Sequence, residues 1–426
     1  MYWLVENEEQ LKVLINSGYK EVFIEVISYN STIHPANNHV SLLYIRPLST
    51  HKGFIICINH SEALNAVNTR INELLNKFNI IYCRDKKEIL HYFPLKTLYD
   101  INPPPTTYIR PTTDTHDLYY RKYKDNPEIN LIIPIVKHYE LCETIFRDLK
   151  SNINRIKTNK TDYDEFFSSK VSMVFNAIER SGIRICKPTF EEYFHPVSGE
   201  YVYTQFNLRT TTTRPSNKFK NVNYAALNKE NGCRKSFIPR NHRFVEIDIS
   251  AYHPSLVASL INYNFPTSDI HGHFASLYNV DYKKSKELTF KQLYGGVFES
   301  YRGIEFFKKV EEYIGKLWSD FKEVGWVECP ISGFHFVDAA LENMNSQKLF
   351  NYLLQNLETS TNVLILWDIF NILKGHKTKL VLYTYDSFLL DYHEDENDVL
   401  ERVREVFKKY KLNIKENEGY DYNFTG

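Results

Sequence analysis

The chain has 426 residues, 43% hydrophobic and 24% charged, with Lys plus Arg and Asp plus Glu balanced at 52 each. These figures describe a soluble globular protein long enough for two or three domains, and no run approaches the ~20 apolar residues of a membrane span. The first residues, MYWLVENEEQ, lack the basic and apolar regions of a signal peptide, and the six cysteines are scattered with no C-x-x-C pair. Free thiols, a reducing compartment, no zinc site and a cytoplasmic location are therefore expected.

In chain order, EVFIEVI, HVSLLYI and GFIICI read as consecutive strands. SEALNAVNTRINELLNKF follows as an amphipathic helix, NIIYC as a strand and DKKEILHYF as a helix, so residues 1–105 form a compact α/β domain. The Pro- and Thr-rich NPPPTTYIRPTTDTHD predicts an extended linker across 106–129. Helices dominate 130–200, in LIIPIVKHYELCETIFRDLKSNI and YDEFFSSKVSMVFNAIERSG, the second stopping at Gly182. The remainder, 201–426, mixes strands and helices and carries the candidate chemistry.

Global charge gives no hint of a polyanionic partner, but its distribution does. From Arg209 to Arg243 nine basic residues face the single acid Glu230, amid TTTTRPSN and NVNYAALN, whose hydroxyl and amide side chains suit phosphate and sugar contacts. A solvated basic face is the bland alternative. Asp386 interrupts the apolar hairpin KLVLYTYDSFLLDYH, either as a simple turn residue or as a metal-binding carboxylate that needs a partner. Asp248 offers one, at the end of the strand FVEIDI and just before a helix with Pro254 in its first turn. Two converging carboxylates need cations, and magnesium suits oxygen ligands shared with phosphate. Lys286, Phe290 and Tyr294 recur at i+4 in KELTFKQLYGG and so share one helix face. An amphipathic core helix is the plain reading of that spacing, but a lysine on the same face suits a triphosphate better than a core, and a neighbouring ring can stack on a base.

Together these segments resemble the family A DNA polymerases, the DNA polymerase I type. VEIDISAYHPSL resembles the first palm motif, KELTFKQLYGG the nucleotide-binding fingers helix, and LYTYDSFLLD the third motif. FHPVSGEYVYTQFNLRTTTTRPSN resembles the segment that contacts primer and template, CRKSFI an arginine-rich strand, and NYLLQNLETSTNVLIL the helix that reaches the base pair at the primer end. The resemblance runs from His195 to the C-terminus in the family's order. It implies an α+β right-hand polymerase: a palm with an antiparallel sheet, helical fingers over about 257–300 and a reduced thumb. The palm with fingers then covers 201–426 and the thumb-like helices 130–200.

By position, the resemblance implies that Asp248, Asp386 and the carbonyl of Ile249 hold two Mg2+ ions, with Mn2+ as a substitute. His271, Lys286 and Lys283 meet the triphosphate, and Lys286 protonates the leaving pyrophosphate. Phe290 stacks on the base, Tyr294 lies beside the templating position, and His253 stands at the sugar. Arg214, Ser216, Arg234, Lys235, Asn351 and Gln355 touch DNA. The partners implied are primer-template DNA and deoxynucleoside triphosphates, with replication accessory proteins as candidates, around a monomer with no membrane.

This sequence departs from the family in several places. His253 replaces the glutamate that packs on the sugar, the third motif reads Tyr385, Asp386 and Ser387, and Tyr282 replaces an arginine, leaving Lys283 or Lys284 for the phosphate. A compact, divergent, phage-type member is expected. By strand order residues 1–105 resemble a ribonuclease-H-like 3′–5′ exonuclease domain, but the first strand carries Glu25 and Ile27 in place of D-x-E, and Asp85, Glu88 and Asp100 fall at unsuitable spacings. A degenerate domain without proofreading follows. The competing readings are a single-subunit RNA polymerase, whose third motif also reads D-S, and an inactive nucleic-acid-binding relative.

Overall fold

The apolar runs near the N-terminus pair because each can bury both of its faces. The computed structural model describes residues 2–63, 70–104, 114–123, 125–218 and 222–424, and the chain divides into two units, Met1–Arg180 and Ser181–Gly426. The first unit begins β1 (Trp3–Val5), α1 (Glu8–Ile15), β2 (Glu21–Ser28), β3 (Val40–Pro47) and β4 (Phe54–Cys57). It continues α2 (Ile71–Leu75), β5 (Ile80–Cys83), α3 (Lys86–Tyr92) and β6 (Leu98–Asp100). The strands form one sheet in the order β1-β4-β3-β2-β5-β6. β2, β3 and β4 make an antiparallel meander, and β5 and then β6 add in parallel on the other side of β2.

The helices of this unit follow as α4 (Asp114–Tyr123), α5 (Ile129–Ile132), α6 (Ile135–Asn159), α7 (Asp162–Phe166) and α8 (Ser172–Ser181). Pro134 separates α5 from α6, because it lacks the N–H that a continuous helix needs. Much of the expected linker lies outside the described residues, and Asp114–Tyr123 within it is helical. The long α6 is not part of a separate helical region. Its stripe Ile135, Cys142, Ile145, Phe146, Leu149 and Ile153 covers Phe23, Leu42, Tyr44 and Ile55 on one sheet face. The opposite face buries Val22, Ile24, Leu43 and Ile81 under Leu11, Leu14, Leu74 and Ile89. Each such side chain contributes about 1.5–3 kcal/mol, so the sheet is closed on both sides by helices from its own unit.

The second unit opens with β7 (Ile183–Ile185), α9 (Lys187–Tyr193), β8 (Tyr201–Val202), β9 (Phe206–Asn207), β10 (Ser216–Asn217) and β11 (Phe237–Ile238). Gly182, just before β7, has φ +63, and a Cβ there would stand 2.7 Å from the Tyr203 ring, so only glycine fits this helix stop. The CRKSFI segment is not a full strand: Cys233–Ser236 forms a 3-10 turn before the two residues of β11. Then come β12 (Arg243–Ile249), α10 (Tyr252–Leu260), α11 (Ile270–Tyr278), α12 (Tyr282–Gly295) and α13 (Glu305–Val324). β13 (Trp326–Glu328), β14 (His335–Val337), α14 (Ser346–Ile372), β15 (Lys379–Thr384), β16 (Ser387–Tyr392), α15 (Asn397–Lys409) and β17 (Ile414–Gly419) complete it. The central sheet, β15-β16-β12-β17, is antiparallel throughout. α14 packs against α10, α12, α13 and α15, which makes it the spine of the unit. Among the described residues no helix is long and apolar enough to cross a membrane.

Candidate active site

The two strands that build the site are buried on both of their faces. Phe244 to Ile247 of β12 and every residue of β16 are buried, with Val245 opposite Leu390 and Ile247 opposite Phe388. In the observed register Asp248 lies opposite Ser387, the residue after Asp386, and the Ile249 N–H donates to the Asp386 carbonyl at 2.9 Å. Two residues distant in sequence are thus brought side by side. Asp386 sits in the two-residue turn between β15 and β16, where Tyr385 has φ +60. A bulky side chain in that region costs about 1–3 kcal/mol and persists only when its surroundings hold it. Here the Asn362 amide donates to the Tyr385 carbonyl at 2.9 Å, and the Arg214 guanidinium lies 3.8 Å from the centre of the Tyr385 ring.

Burial and acidic neighbours both bear on the two carboxyls. Burial, then Glu246, then Asp386 push the Asp248 carboxyl up to about 6. Asp386 reaches solvent at the turn, yet the protein packed around it raises its carboxyl by desolvation, with Glu358 adding to the effect. Glu246, two residues before Asp248 on the same strand face, is buried and accepts from the Ser387 hydroxyl at 2.9 Å and the Asn417 amide at 3.1 Å. This donor set is all oxygen: two carboxylates, with the Ile249 carbonyl beside them in sequence. Oxygen donors around concentrated negative charge fit a hard divalent cation.

The expected helix face forms on α12. Lys286 is exposed, Phe290 and Tyr294 are half-buried, and the two rings stack at 6.3 Å with 17° between their planes. His271 of α11 faces them, its ring 6.1 Å from Phe290. Only 3% of His271 is exposed, and neither ring nitrogen has a hydrogen-bond partner. Burial, then the Lys286 ammonium, lower its pKa to about 4, so the ring is neutral at pH 7. His253 of α10 closes the group from the other side, its ring 6.4 Å from Phe290 and 5.6 Å from Tyr294.

The residues expected at DNA divide. Lys235 is exposed, as is Lys283, which was expected at the triphosphate, and Ser216 pairs with Asn207 between β10 and β9. Asn351 donates to the Tyr294 carbonyl at 2.9 Å, and Gln355 accepts from Thr212 at 3.1 Å. Arg214 pairs with Glu358 at 3.2 Å. Arg234 is a correction: it is buried, donates twice to the Leu227 carbonyl and lies 4.7 Å from the Tyr422 ring centre, so it braces the fold. Arg240 and Arg243 likewise have protein partners in Asp391 and Glu418, so part of the basic run is spent on internal pairing. Glu246, Glu358 and Asn362 were missed at the sequence level. For Glu358 and Asn362 the available signal was ETSTN, five polar residues in a row between the apolar runs of α14, all of them buried.

The acids weighed for proofreading in the first unit have other work. Glu25 pairs with Arg84 at 2.6 Å, in the wall of a cavity of about 230 Å³ also lined by His116, His138 and Asn130. Asp85 caps α3, and Asp100 accepts the N–H groups of Lys86 and Asn102, each at 2.9 Å. His34, His91 and Glu179 cluster within metal-binding reach, but the Lys87 ammonium already lies 2.6 and 2.8 Å from the two Glu179 oxygens. That buried pair satisfies the carboxylate without an ion.

No protein-family model matches the chain, and no curated protein does. Among solved structures the fold is similar to the POL domain of Pol1 from M. smegmatis, solved in complex with DNA primer-template and dNTP. The TM-score is 0.71 over 99% of this chain and 99% of that one, at 11% sequence identity. The chain therefore has a mixed α+β fold that matches a DNA polymerase domain.

Proposed function

We propose that this protein is a template-directed DNA polymerase that extends a primer 3′-hydroxyl with deoxynucleoside triphosphates. The observation that carries the reading is the β12–β16 register, which sets Asp248 next to Asp386 in the unit that also holds the Lys286, Phe290 and Tyr294 face. The orphaned His271 ring supports it, since a buried imidazole without a partner is costly until a ligand supplies one. So does the fold shared with a polymerase domain that binds primer-template and dNTP.

In this reading Asp248, Asp386 and the Ile249 carbonyl hold two Mg2+ ions, which would activate the attacking oxygen and stabilise the leaving one. Lys286 binds the triphosphate as a cation and donates its proton to the pyrophosphate as it leaves. His271, being neutral, donates one hydrogen bond to the phosphates. Phe290 carries the base, while Asn351 and Gln355, fixed by Tyr294 and Thr212, present their remaining polar groups to the nascent pair. Arg214, Ser216 and Lys235 hold the duplex backbone. We also assign the first unit as a ribonuclease-H-like domain without proofreading: its strand order supports the likeness, and Glu25, Asp85 and Asp100 are engaged within the protein.

A primed-template extension assay with Mg2+ tests the reading. The wild type is expected to add deoxynucleotides, and Asp248→Asn and Asp386→Asn to reduce extension to background. Full activity in Asp386→Asn would refute the site. Exclusive use of ribonucleotides would favour the RNA polymerase reading, to which Ser387 after Asp386 lends some support, and DNA binding without extension would mark an inactive relative.

A further inference from the structure

In a nucleotide the sugar joins the base to the phosphates. Resting on the function proposed above, the base lies against Phe290 and the α-phosphate near Asp248 and Asp386. His253 follows Asp248 by five residues, at the start of α10, and its ring meets Phe290 edge-on at 6.4 Å. It therefore stands between the phosphate end and the base end, where the sugar must lie. Its ring is hydrogen-bonded on one side and stands within ion-pair distance of a buried carboxylate on the other. The Tyr294 hydroxyl hydrogen-bonds Nδ1, and Nε2 lies 3.4 Å from Glu358 Oε2.

Glu358 comes from the middle of α14, far from both motifs in sequence, and its side chain is 3% exposed. A carboxylate so buried needs opposing charge: the Arg214 guanidinium donates to Oε1 at 3.5 Å, and Arg214 and His253 stand 3.2 and 3.4 Å from Oε2, which makes no hydrogen bond and so interacts with the His253 ring through charge alone. Tyr252, beside His253, donates to Asn362 at 2.8 Å, which ties the first turn of α10 to the same stretch of α14. The His253 ring is thus positioned by a helix other than its own.

We propose that Glu358 is a positioning residue for sugar discrimination: it fixes the His253 ring, which with Tyr294 closes the space beside the sugar. A deoxynucleoside triphosphate is accepted there, and a ribonucleoside triphosphate is refused by its 2′-hydroxyl. The acid reaches the sugar pocket from α14, through a histidine.

The test is single-nucleotide incorporation on a primed template, comparing kcat/KM for a deoxynucleotide and the matching ribonucleotide. The variants are Glu358→Ala, Glu358→Gln, His253→Ala and the double Glu358→Ala/His253→Ala. Glu358→Ala is expected to reduce the deoxy-to-ribo ratio on the order of tenfold or more, mainly by lowering the ribonucleotide KM. Glu358→Gln, which keeps an acceptor oxygen, should retain part of the ratio. In the His253→Ala background the Glu358 change should have no further effect on it, because the two act as one unit. An unchanged ratio in both Glu358 variants, or additive effects in the double variant, overturns the proposal even if the chain polymerises. A wild type that incorporates neither nucleotide overturns the polymerase reading itself.

Discussion

Replacing Asp248 with asparagine should abolish catalysis and stabilise the fold. Burial, then the neighbouring acids Glu246 and Asp386, raise the Asp248 carboxyl from 3.8 to about 6. An acid raised in this way binds its proton more tightly when folded. Its contribution to stability is complete below pH 3.8 and is lost as the pH climbs through about 6, so at pH 7.5 the wild type carries the whole penalty. A rise of that size corresponds to about 3 kcal/mol, and solvent around the half-buried carboxylate trims this to about 1–2 kcal/mol. Asparagine keeps the shape and sheds the charge. In EDTA at pH 7.5, Asp248→Asn is expected to melt on the order of 2–6 °C higher than the wild type. At pH 5 the gap should narrow, because the wild-type carboxyl is then mostly protonated. Mg2+ should raise the melting temperature of the wild type and not of the variant. Differential scanning calorimetry across these conditions decides the matter. A variant no more stable than the wild type in EDTA, or a gain that ignores pH, would mean that the carboxylates do not crowd one another.

The same electrostatics bear on Glu246: Glu246→Gln should weaken Mn2+ binding about tenfold to a hundredfold, as loss of a charged group next to metal ligands commonly does, read by titration calorimetry on the free protein. In the first unit Glu179→Ala strands the fully buried Lys87 ammonium and should cost about 3–5 kcal/mol in urea denaturation. Within the buried pair the Glu179 carboxyl is lowered and the Lys87 ammonium raised. Their contribution should therefore hold from about pH 5 to about pH 10, fading as pH falls through the depressed carboxylate value or rises through the raised ammonium value.

How far the fold could be read depended on whether a signal was local. The hairpin around Asp386 and the strand ending at Asp248 were legible as runs of strand-favouring apolar residues, and the α12 face from its spacing of four. Their convergence carried no such mark, because β12 and β16 are buried on both faces and no alternation announces that Asp248 will lie opposite Ser387. What a surface is for was not legible either. The stripe on α6 announces an apolar face but does not name its partner, so it was set apart from a sheet it in fact covers. Arg234 looks like a phosphate ligand in any string of basic residues, and only the Leu227 carbonyl and Tyr422 ring reveal it as a brace.

The segment Glu358 to Asn362 lies between these cases. Successive residues of a helix turn by about 100°, so five polar residues in a row cannot share a single solvent face. On a helix as apolar as α14, some of them must point into the protein and find polar company there. That much follows from the string ETSTN alone, and it separates this stretch from an ordinary exposed patch. Which company they find depends on α10 and the Tyr385 turn, hence on contacts more than a hundred residues apart for Tyr252 and Asn362 and on the positive φ at Tyr385. A buried acid can therefore be suspected from sequence, whereas its partners His253 and Arg214 can be identified only once β12 and β16 have been paired and the helix laid across them.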